Sequence, residues 1–145
     1  MSFYDSIDVS ASALTADRLN MDVIANNIAN ASTTRTPEGG AFKRQLVVLA
    51  QKAASPDEED GDSDDGGNLN GVEAQGIIPD QSPDRLVYEP SHPDADRNGY
   101  VHMPNVEVVK EMVDLISASQ AYQANVTAIQ EARTMSAQTL NILQG

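Results

Sequence analysis

The sequence predicts a mainly α-helical protein in which long N- and C-terminal helices form a coiled-coil-like core around a small antiparallel β insert. Apolar residues recur at alternating steps of three and four near both ends of the chain. No Gly or Pro interrupts the run from Asn105 to Gln144, whereas short β-rich runs and turn formers fill the middle. The expected organisation is a core helix in 1–34, a linker and insert in 35–103, and a core helix in 104–145.

The first helix is expected over Asp5–Ala31, with Asp5 or Ser6 as its N-cap. Its seam, meaning the stripe that faces a partner helix, repeats every seven residues. The repeating positions are Ile7, Leu14, Met21 and Ile28, with Ala11, Arg18 and Ala25 between them. Arg18 is the one charged residue in this seam. The Thr, Pro and Gly residues that follow Ala31 predict the end of the helix.

Three asparagines, Asn26, Asn27 and Asn30, crowd the end of this helix. Asn is a poor helix former because its amide competes for backbone groups. One interpretation is a frayed helix end with solvated amides. The other is that these amides, which both donate and accept hydrogen bonds, fix the register against neighbouring helices.

The insert is expected to hold one small antiparallel sheet and a mobile acidic loop. Residues 53–71 are dense in Asp and Glu and end in a Gly-rich run, so they offer little to bury. Four short runs between turn formers predict the strands Gln45–Leu49, Val72–Ile78, Arg85–Tyr88 and Tyr100–Met103.

The last helix carries two stripes, and Asn105 is its expected N-cap after Pro104. One stripe needs one partner helix and two stripes need more than one, so part of the partner surface must come from other chains. The main seam is Met112, Leu115, Ser119, Tyr122, Val126, Ile129, Arg133, Ser136, Leu140 and Leu143. The second stripe is Val109, Val113, Ile116, Ala121, Ala124, Ala128, Ala132, Met135 and Ile142.

The composition argues against several classes of partner. A formal charge of −13 disfavours nucleic acid and anionic membrane surfaces. No apolar run is long enough to span a bilayer, so no direct membrane insertion is expected. The N-terminus lacks the basic and apolar regions of a cleavable secretion signal, and the chain has no Cys.

Two polar clusters could be interpreted as metal sites. His92, Asp94, Asp96 and His102 offer metal ligands at close spacing, but Pro93 and Gly99 indicate a turn instead. The segment Asp62–Glu73 nearly fits a calcium loop, yet Gly66 removes a ligand and the flanks are not helical. We therefore expect no metal.

No nucleophile elbow, phosphate-binding loop or dinucleotide fingerprint occurs in the sequence. We expect no catalytic residues, no cofactor and no enzymatic activity. A metal-dependent enzyme built on the His92–His102 cluster is the least favoured alternative.

Longer motifs resemble a known family. Ser12–Asn30, which reads SALTADRLNMDVIANNIAN, and Thr33–Thr34 after it resemble the N-terminal signature of bacterial flagellar rod and hook proteins. The runs Glu89–Val106 and Glu111–Val126, together with the Thr36–Gly40 linker, resemble the short proximal-rod members more narrowly. The acidic loop is longer and more charged than the family pattern.

This resemblance implies a structural subunit of the flagellar basal-body rod. Such a subunit polymerises through its terminal helices into a hollow drive shaft, which transmits torque and lets export substrates through. It leaves the cytoplasm unfolded through the flagellar type III export apparatus, without a cleaved signal, and assembles in the periplasm. The implied partners are other rod proteins, the junction with the membrane ring, the export apparatus and copies of the chain itself.

Residues expected at subunit interfaces lie on the helical stripes and at the end of the first helix. They are Ile7, Leu14, Met21, Ile24, Asn26, Asn27, Ile28, Asn30, Met112, Leu115, Ile116, Tyr122, Asn125, Val126, Ile129, Leu140 and Leu143. The alternative function is a soluble coiled-coil adaptor or an export-chaperone-like binding protein, since two long amphipathic helices suit that class as well. The second stripe of the last helix favours the assembly subunit.

Overall fold

The computed structural model describes residues 3–52 and 71–144, with side chains described over 7–52 and 71–139. Two helices flank four strands, and all four strands lie where the sequence predicts them. In chain order the elements are α1 (Phe3–Ala29), β1 (Gln45–Gln51), β2 (Val72–Pro79), β3 (Arg85–Tyr88), β4 (Tyr100–Met103) and α2 (Val108–Gln144).

The two helices pack against each other in antiparallel orientation. Near one end, Asn27 Nδ2 lies 3.0 Å from Glu111 Oε2, and further along Asn125 Nδ2 lies 2.9 Å from Asp17 Oδ2. The partner position on α2 rises as the position on α1 falls, so the chain supplies one partner for each helix. The two long helices are confirmed, whereas a supercoiled core stays a prediction.

The face of α2 that packs on α1 differs from the predicted seam at alternate positions. We call it the inner face. Its buried or half-buried residues are Glu111, Leu115, Ala118, Tyr122, Asn125, Ile129, Ala132 and Ser136. The step pattern is the predicted one, but Met112, Ser119 and Arg133 are exposed where Glu111, Ala118 and Ala132 pack. Small and paired polar residues let the helices approach, and because the alternating steps were begun at Met112 instead of Glu111, every second position of the predicted seam is displaced by one residue.

The predicted helix caps were wrong. Helix α1 begins at Phe3, so Asp5 and Ser6 lie inside it. Helix α2 begins at Val108, and the carbonyl of Glu107 accepts the N–H of Glu111 at 3.0 Å, as an N-cap carbonyl does. The expected cap, Asn105, instead uses its side chain to hold loops beside the sheets.

The insert contains two separate two-stranded antiparallel sheets, not the single sheet expected. One sheet pairs β1 with β2, and the other pairs β3 with β4. Residues 80–84 separate them, and Asp80 there closes a turn by accepting the N–H of Ser82 at 2.9 Å. Pro79, at the end of β2, lacks the N–H that a further ladder bond would need.

Helix α1 crosses the β1–β2 ribbon diagonally. Its C-terminal end reaches the outer edge of β1, where Asn27 Oδ1 accepts the N–H of Gln45 at 2.8 Å. Its N-terminal half reaches the outer edge of β2, where Ser12 Oγ accepts the N–H of Val72 at 3.0 Å. The predicted acidic loop (residues 53–71) and most of the calcium-loop candidate Asp62–Glu73 lie outside the described residues.

Candidate assembly surface

The side of α2 that points away from α1 carries a patch of exposed apolar side chains. Val109, Val113 and Ile116 are 70%, 57% and 58% exposed, and Met112 is 51% exposed. Their i, i+3, i+4, i+7 spacing places them on one side of the helix, opposite Ala118 of the inner face. We call these four residues the outer patch. Grouped apolar residues on a surface typically mark an interaction site, whereas isolated ones do not.

The second predicted stripe continues the exposed surface along α2. Ala121, Ala124 and Ala128 are exposed, and Met135 is 58% exposed. These residues lie outside the inner face, so α1 leaves them uncovered. Ala132 is half-buried, and Ile142 lies outside the described side chains.

On α1, the structure explains why a charge occurs in the predicted seam. Ile7, Leu14, Met21 and Ile28 are half-buried, whereas Arg18 is exposed. Arg18 therefore lies on the outer side of α1 with Ala11 and Ala25, which are also exposed. The buried residues of this helix are Ala16, Val23, Ile24 and Asn27.

The residues expected at subunit interfaces fall into three groups where their side chains are described. Ile24 and Asn27 are buried inside the chain, whereas Asn26, Met112 and Ile116 are exposed. Leu140 and Leu143 lie outside the described side chains. The remaining residues are half-buried: Ile7, Leu14, Met21, Ile28, Asn30, Leu115, Tyr122, Asn125, Val126 and Ile129. Their contact with other subunits stays a prediction.

A buried polar junction ties both helices to β1. The Asn27 amide donates to the Gln45 carbonyl at 2.9 Å and accepts the Gln45 N–H, so it pairs with this residue as a neighbouring strand does. The same amide donates to Glu111, whose side chain is only 1% exposed. The interpretation that the Asn cluster fixes register holds for Asn27, and it does so within one chain.

Arg44 balances the charge of this junction. Its Nε donates to Glu111 Oε1, and its Nη2 lies 3.2 Å from Asp114 Oδ2. Asn105 Oδ1 accepts the backbone N–H of Arg44 at 2.8 Å, which fixes where the chain enters β1. A buried carboxylate needs such a partner because desolvating an unpaired charge is costly.

The asparagines beside Asn27 close the C-terminal end of α1. Asn30 Nδ2 donates to the Asn26 carbonyl at 3.0 Å and to Asn26 Oδ1 at 2.9 Å. Asn26 Nδ2 in turn donates to Gln45 Oε1 at 3.1 Å. The alternative of a frayed end with free amides is therefore wrong.

Sequence reasoning missed Arg44 and Glu111 as members of a site. Periodicity ranks apolar residues, and a Lys-Arg pair before a strand carries no distinctive spacing. The one available signal was Glu111 itself, because it lies in step with Leu115 and Tyr122 on the inner face. A carboxylate in a helical seam predicts a buried cationic partner.

The predicted turn between β3 and β4 is confirmed. Asp96 Oδ1 accepts the N–H groups of Asn98 and Tyr100, both at 2.8 Å. The hydrogen bond from the Tyr100 amide, followed by weaker ones, lowers the pKa of Asp96 below its ordinary value. Gly99, with φ of +84°, packs against Tyr88 in this turn.

The polar side chains of the His92–His102 cluster take part in local contacts. His92 Nδ1 accepts the N–H of Asp94 at 3.1 Å, and Asp94 Oδ2 accepts the Thr34 hydroxyl at 2.8 Å. His102 faces Asp84 at 3.5 Å. Within residues 3–52 and 71–144, no three potential ligands converge on a metal site, and no helix is long and apolar enough to cross a membrane.

Comparisons with known proteins agree with this architecture. Residues 7–35, which include most of α1, match a family described as flagella basal body rod protein. Residues 97–142, which include β4 and most of α2, match the C-terminal family of flagellar basal body rod FlgEFG proteins. The two matches cover most of the two helices and leave residues 36–96 between them unmatched.

Full-length relatives decide the family. The chain is 47% identical to the flagellar basal-body rod protein FlgC of Borreliella burgdorferi, with all of both chains covered. It is 42% identical to FlgC of Bacillus subtilis, covering 98% of this chain and 99% of the relative. It is 40% identical to FlgC of Escherichia coli O6:H1, covering 99% and 100% respectively.

The chain belongs to the FlgC family of flagellar basal-body rod proteins. The resemblance predicted from Ser12–Asn30 and the later motifs is thereby confirmed. So is the predicted function as a structural rod subunit that is not an enzyme.

Proposed function

We propose that this rod subunit polymerises through the exposed surfaces of α1 and α2 into a hollow shaft, with the helices inside and the two sheets outside. The observation that supports this proposal is the outer patch of Val109, Met112, Val113 and Ile116, whose side chains are exposed in the single chain. A helix that satisfies one side with α1 and keeps a second apolar side exposed suits a subunit with helical neighbours.

The partners proposed for this surface are copies of the chain, other rod proteins and the ring–rod junction. The chain reaches the periplasm unfolded, through the flagellar type III export apparatus and without a cleaved signal. Membership of the rod-protein family supports this route, and the contacts among Asn27, Arg44 and Glu111 would then form after export, when the chain folds.

The test is Ile116→Asp in a strain that lacks its own copy of the gene. Ile116 is 58% exposed, so the added carboxylate spares the monomer fold but is desolvated wherever another helix covers it. We expect normal secretion of the variant together with its absence from purified basal bodies. Gln81→Asp, on an exposed side chain in the turn between the two sheets, is the matched control and should incorporate. Incorporation of both variants would remove the outer patch from the assembly.

A further inference from the structure

The two edges of the β1–β2 ribbon differ in how they are closed. The carbonyl of Arg44 accepts the N–H of Asp80 at 2.7 Å, and the N–H of Lys52 donates to the Gly71 carbonyl at 3.1 Å. Backbone groups of successive strand residues point to opposite sides, so the even-numbered residues between 44 and 52 face β2. The odd-numbered ones point their N–H and C=O groups to the outer edge. The irregularity near Gln75 adds a residue to β2, so the alternation of β1 is unbroken.

The outer edge of β1 is closed only at its first residue, where the Asn27 amide pairs with Gln45. Beyond that point α1 crosses away toward β2. In the part of the chain that the structure describes, the backbone groups of Val47, Leu49 and Gln51 on this edge have no partner, and Leu49 is 45% exposed. An open edge of this kind is a template for another strand.

The outer edge of β2 is protected. Pro79 has no N–H, the irregularity at Gln75 breaks the row of groups, and the Val72 N–H is bonded to Ser12. Among the described residues, the β2 edge is therefore interrupted at both ends and at Gln75, whereas the β1 edge offers three successive outward residues without partners.

A second open edge lies on β3. The N–H of Glu89 donates to the Gly99 carbonyl at 2.9 Å, so by the same alternation Leu86 and Tyr88 point their backbone groups away from β4. Their side chains are 57% and 63% exposed. The far edge of β4 is covered at Tyr100, which bonds to Asp96 through both its carbonyl and its N–H, and His102 is the one other outward residue of this strand.

We propose that β1 of one copy pairs in parallel with β3 of the next copy, joining the two ribbons into a four-stranded sheet outside the helices. This rests on the proposed function, since it needs copies held side by side. The contact joins two different edges of the chain, so it repeats from copy to copy instead of closing a symmetric dimer. Main-chain bonds of this kind are a recurrent mode of recognition between chains.

In the register where every outward backbone group of β3 is hydrogen-bonded, Leu49 of one copy lies beside Val87 of the next. In a parallel pair, each outward residue bonds to the two residues that flank its neighbour. The expected bonds are Leu86 N–H to Val47 C=O, Leu49 N–H to Leu86 C=O, Tyr88 N–H to Leu49 C=O, and Gln51 N–H to Tyr88 C=O.

Charge decides the direction of the added strand. A cleft of about 420 Å³ lies beside Val47, and its lining sets three carboxylates, those of Asp17, Glu111 and Asp114, against the single cation Arg44. A parallel β3 brings Arg85 to this acidic end and Glu89 to the other end, next to Lys52. The antiparallel arrangement would set Arg85 near Lys52 and Glu89 near Asp114, and like charges across strands are unfavourable.

The test uses disulfide cross-linking in isolated basal bodies, since the native chain has no Cys. Gln51→Cys with Glu89→Cys puts the new thiols on neighbouring strands of adjacent copies. Parallel strands lie about 4.8 Å apart, which suits a disulfide. Mild oxidation should give a ladder of linked multimers. Gln75→Cys with Glu89→Cys, on the protected edge, is the matched control and should stay monomeric.

Each other outcome overturns a defined part of the proposal. A ladder from Val47→Cys with Tyr88→Cys in place of the first pair would show antiparallel pairing. A linked dimer from Leu49→Cys alone would show two β1 edges meeting. Basal bodies that contain the variant chain but give no ladder would refute edge pairing and leave the rod subunit intact. Absence of even the native chain from basal bodies would instead refute the proposed function.

Discussion

The two sides of α2 reverse the usual expectation about which residues are buried. The inner face includes Glu111, Ala118 and Asn125, whereas the outer patch includes Val109, Val113 and Ile116. The inner face thus alternates small or polar residues with Leu115, Tyr122 and Ile129, whereas all four residues of the outer patch are large, apolar and exposed. Apolar content therefore marks the surface that needs other subunits, and the contacts within the chain rely on close approach and paired polar groups.

The largest effect on stability should come from the charged junction of the inner face. Arg44→Ala leaves the buried carboxylate of Glu111 without its cation, which typically costs about 3–5 kcal/mol of unfolding free energy. Denaturant unfolding of the purified protein measures this loss. Arg133→Ala is the control. The exposed Arg133 lies on the same helix as Glu111, and its removal should cost less than about 0.5 kcal/mol. Equal effects would mean that the junction is not a buried ion pair in solution.

An intermediate effect on stability is expected when alanines on different sides of α2 are enlarged to leucine. Ala118 is 8% exposed on the inner face, so Ala118→Leu overpacks the contact with α1 and should cost about 1–3 kcal/mol. Ala121 is exposed, and Ala121→Leu should be close to neutral. Both variants have the same composition and nearly the same helix propensity, so the difference between their denaturation midpoints isolates packing. If Ala121→Leu were the more damaging change, the assigned inner face would be wrong.

Sequence periodicity predicted the elements better than their contacts. The strands β3 and β4 were predicted with their observed bounds, because turn formers enclose each of them. The heptad steps of α2 were also predicted, but the apolar Met112 was taken as the first position in place of Glu111, and this choice of starting point displaced half of the inner face by one residue. A partner for Glu111 could not be inferred, since Arg44 lies 67 positions away in the sequence.

The split into two sheets was hidden for a related reason. Each strand can be predicted from its own residues, but the pairing of strands depends on which strand edges remain free. Pro79 and the turn around Asp80 end the first ribbon, and Asp96 occupies the far edge of β4 at Tyr100. These side chains look like ordinary turn formers in the sequence, and only their bonded partners show that they close a sheet.

The smallest effect on stability, and the sharpest contrast, is expected at the outer patch. Val and Ser have similar helix propensities, and Val113 is 57% exposed, so Val113→Ser should change the unfolding free energy by less than about 0.5 kcal/mol. Incorporation into basal bodies should nevertheless fall, since the substitution removes apolar surface that a neighbouring subunit would cover. The two readouts belong in one experiment: unfolding of the purified variant, and its amount in basal bodies relative to the amount secreted. Lys110→Ser, on an exposed neighbour, is the control and should leave both unchanged. A large loss of stability in Val113→Ser would show that this side chain already packs within the chain, and the contrast between the two sides of α2 would then fail.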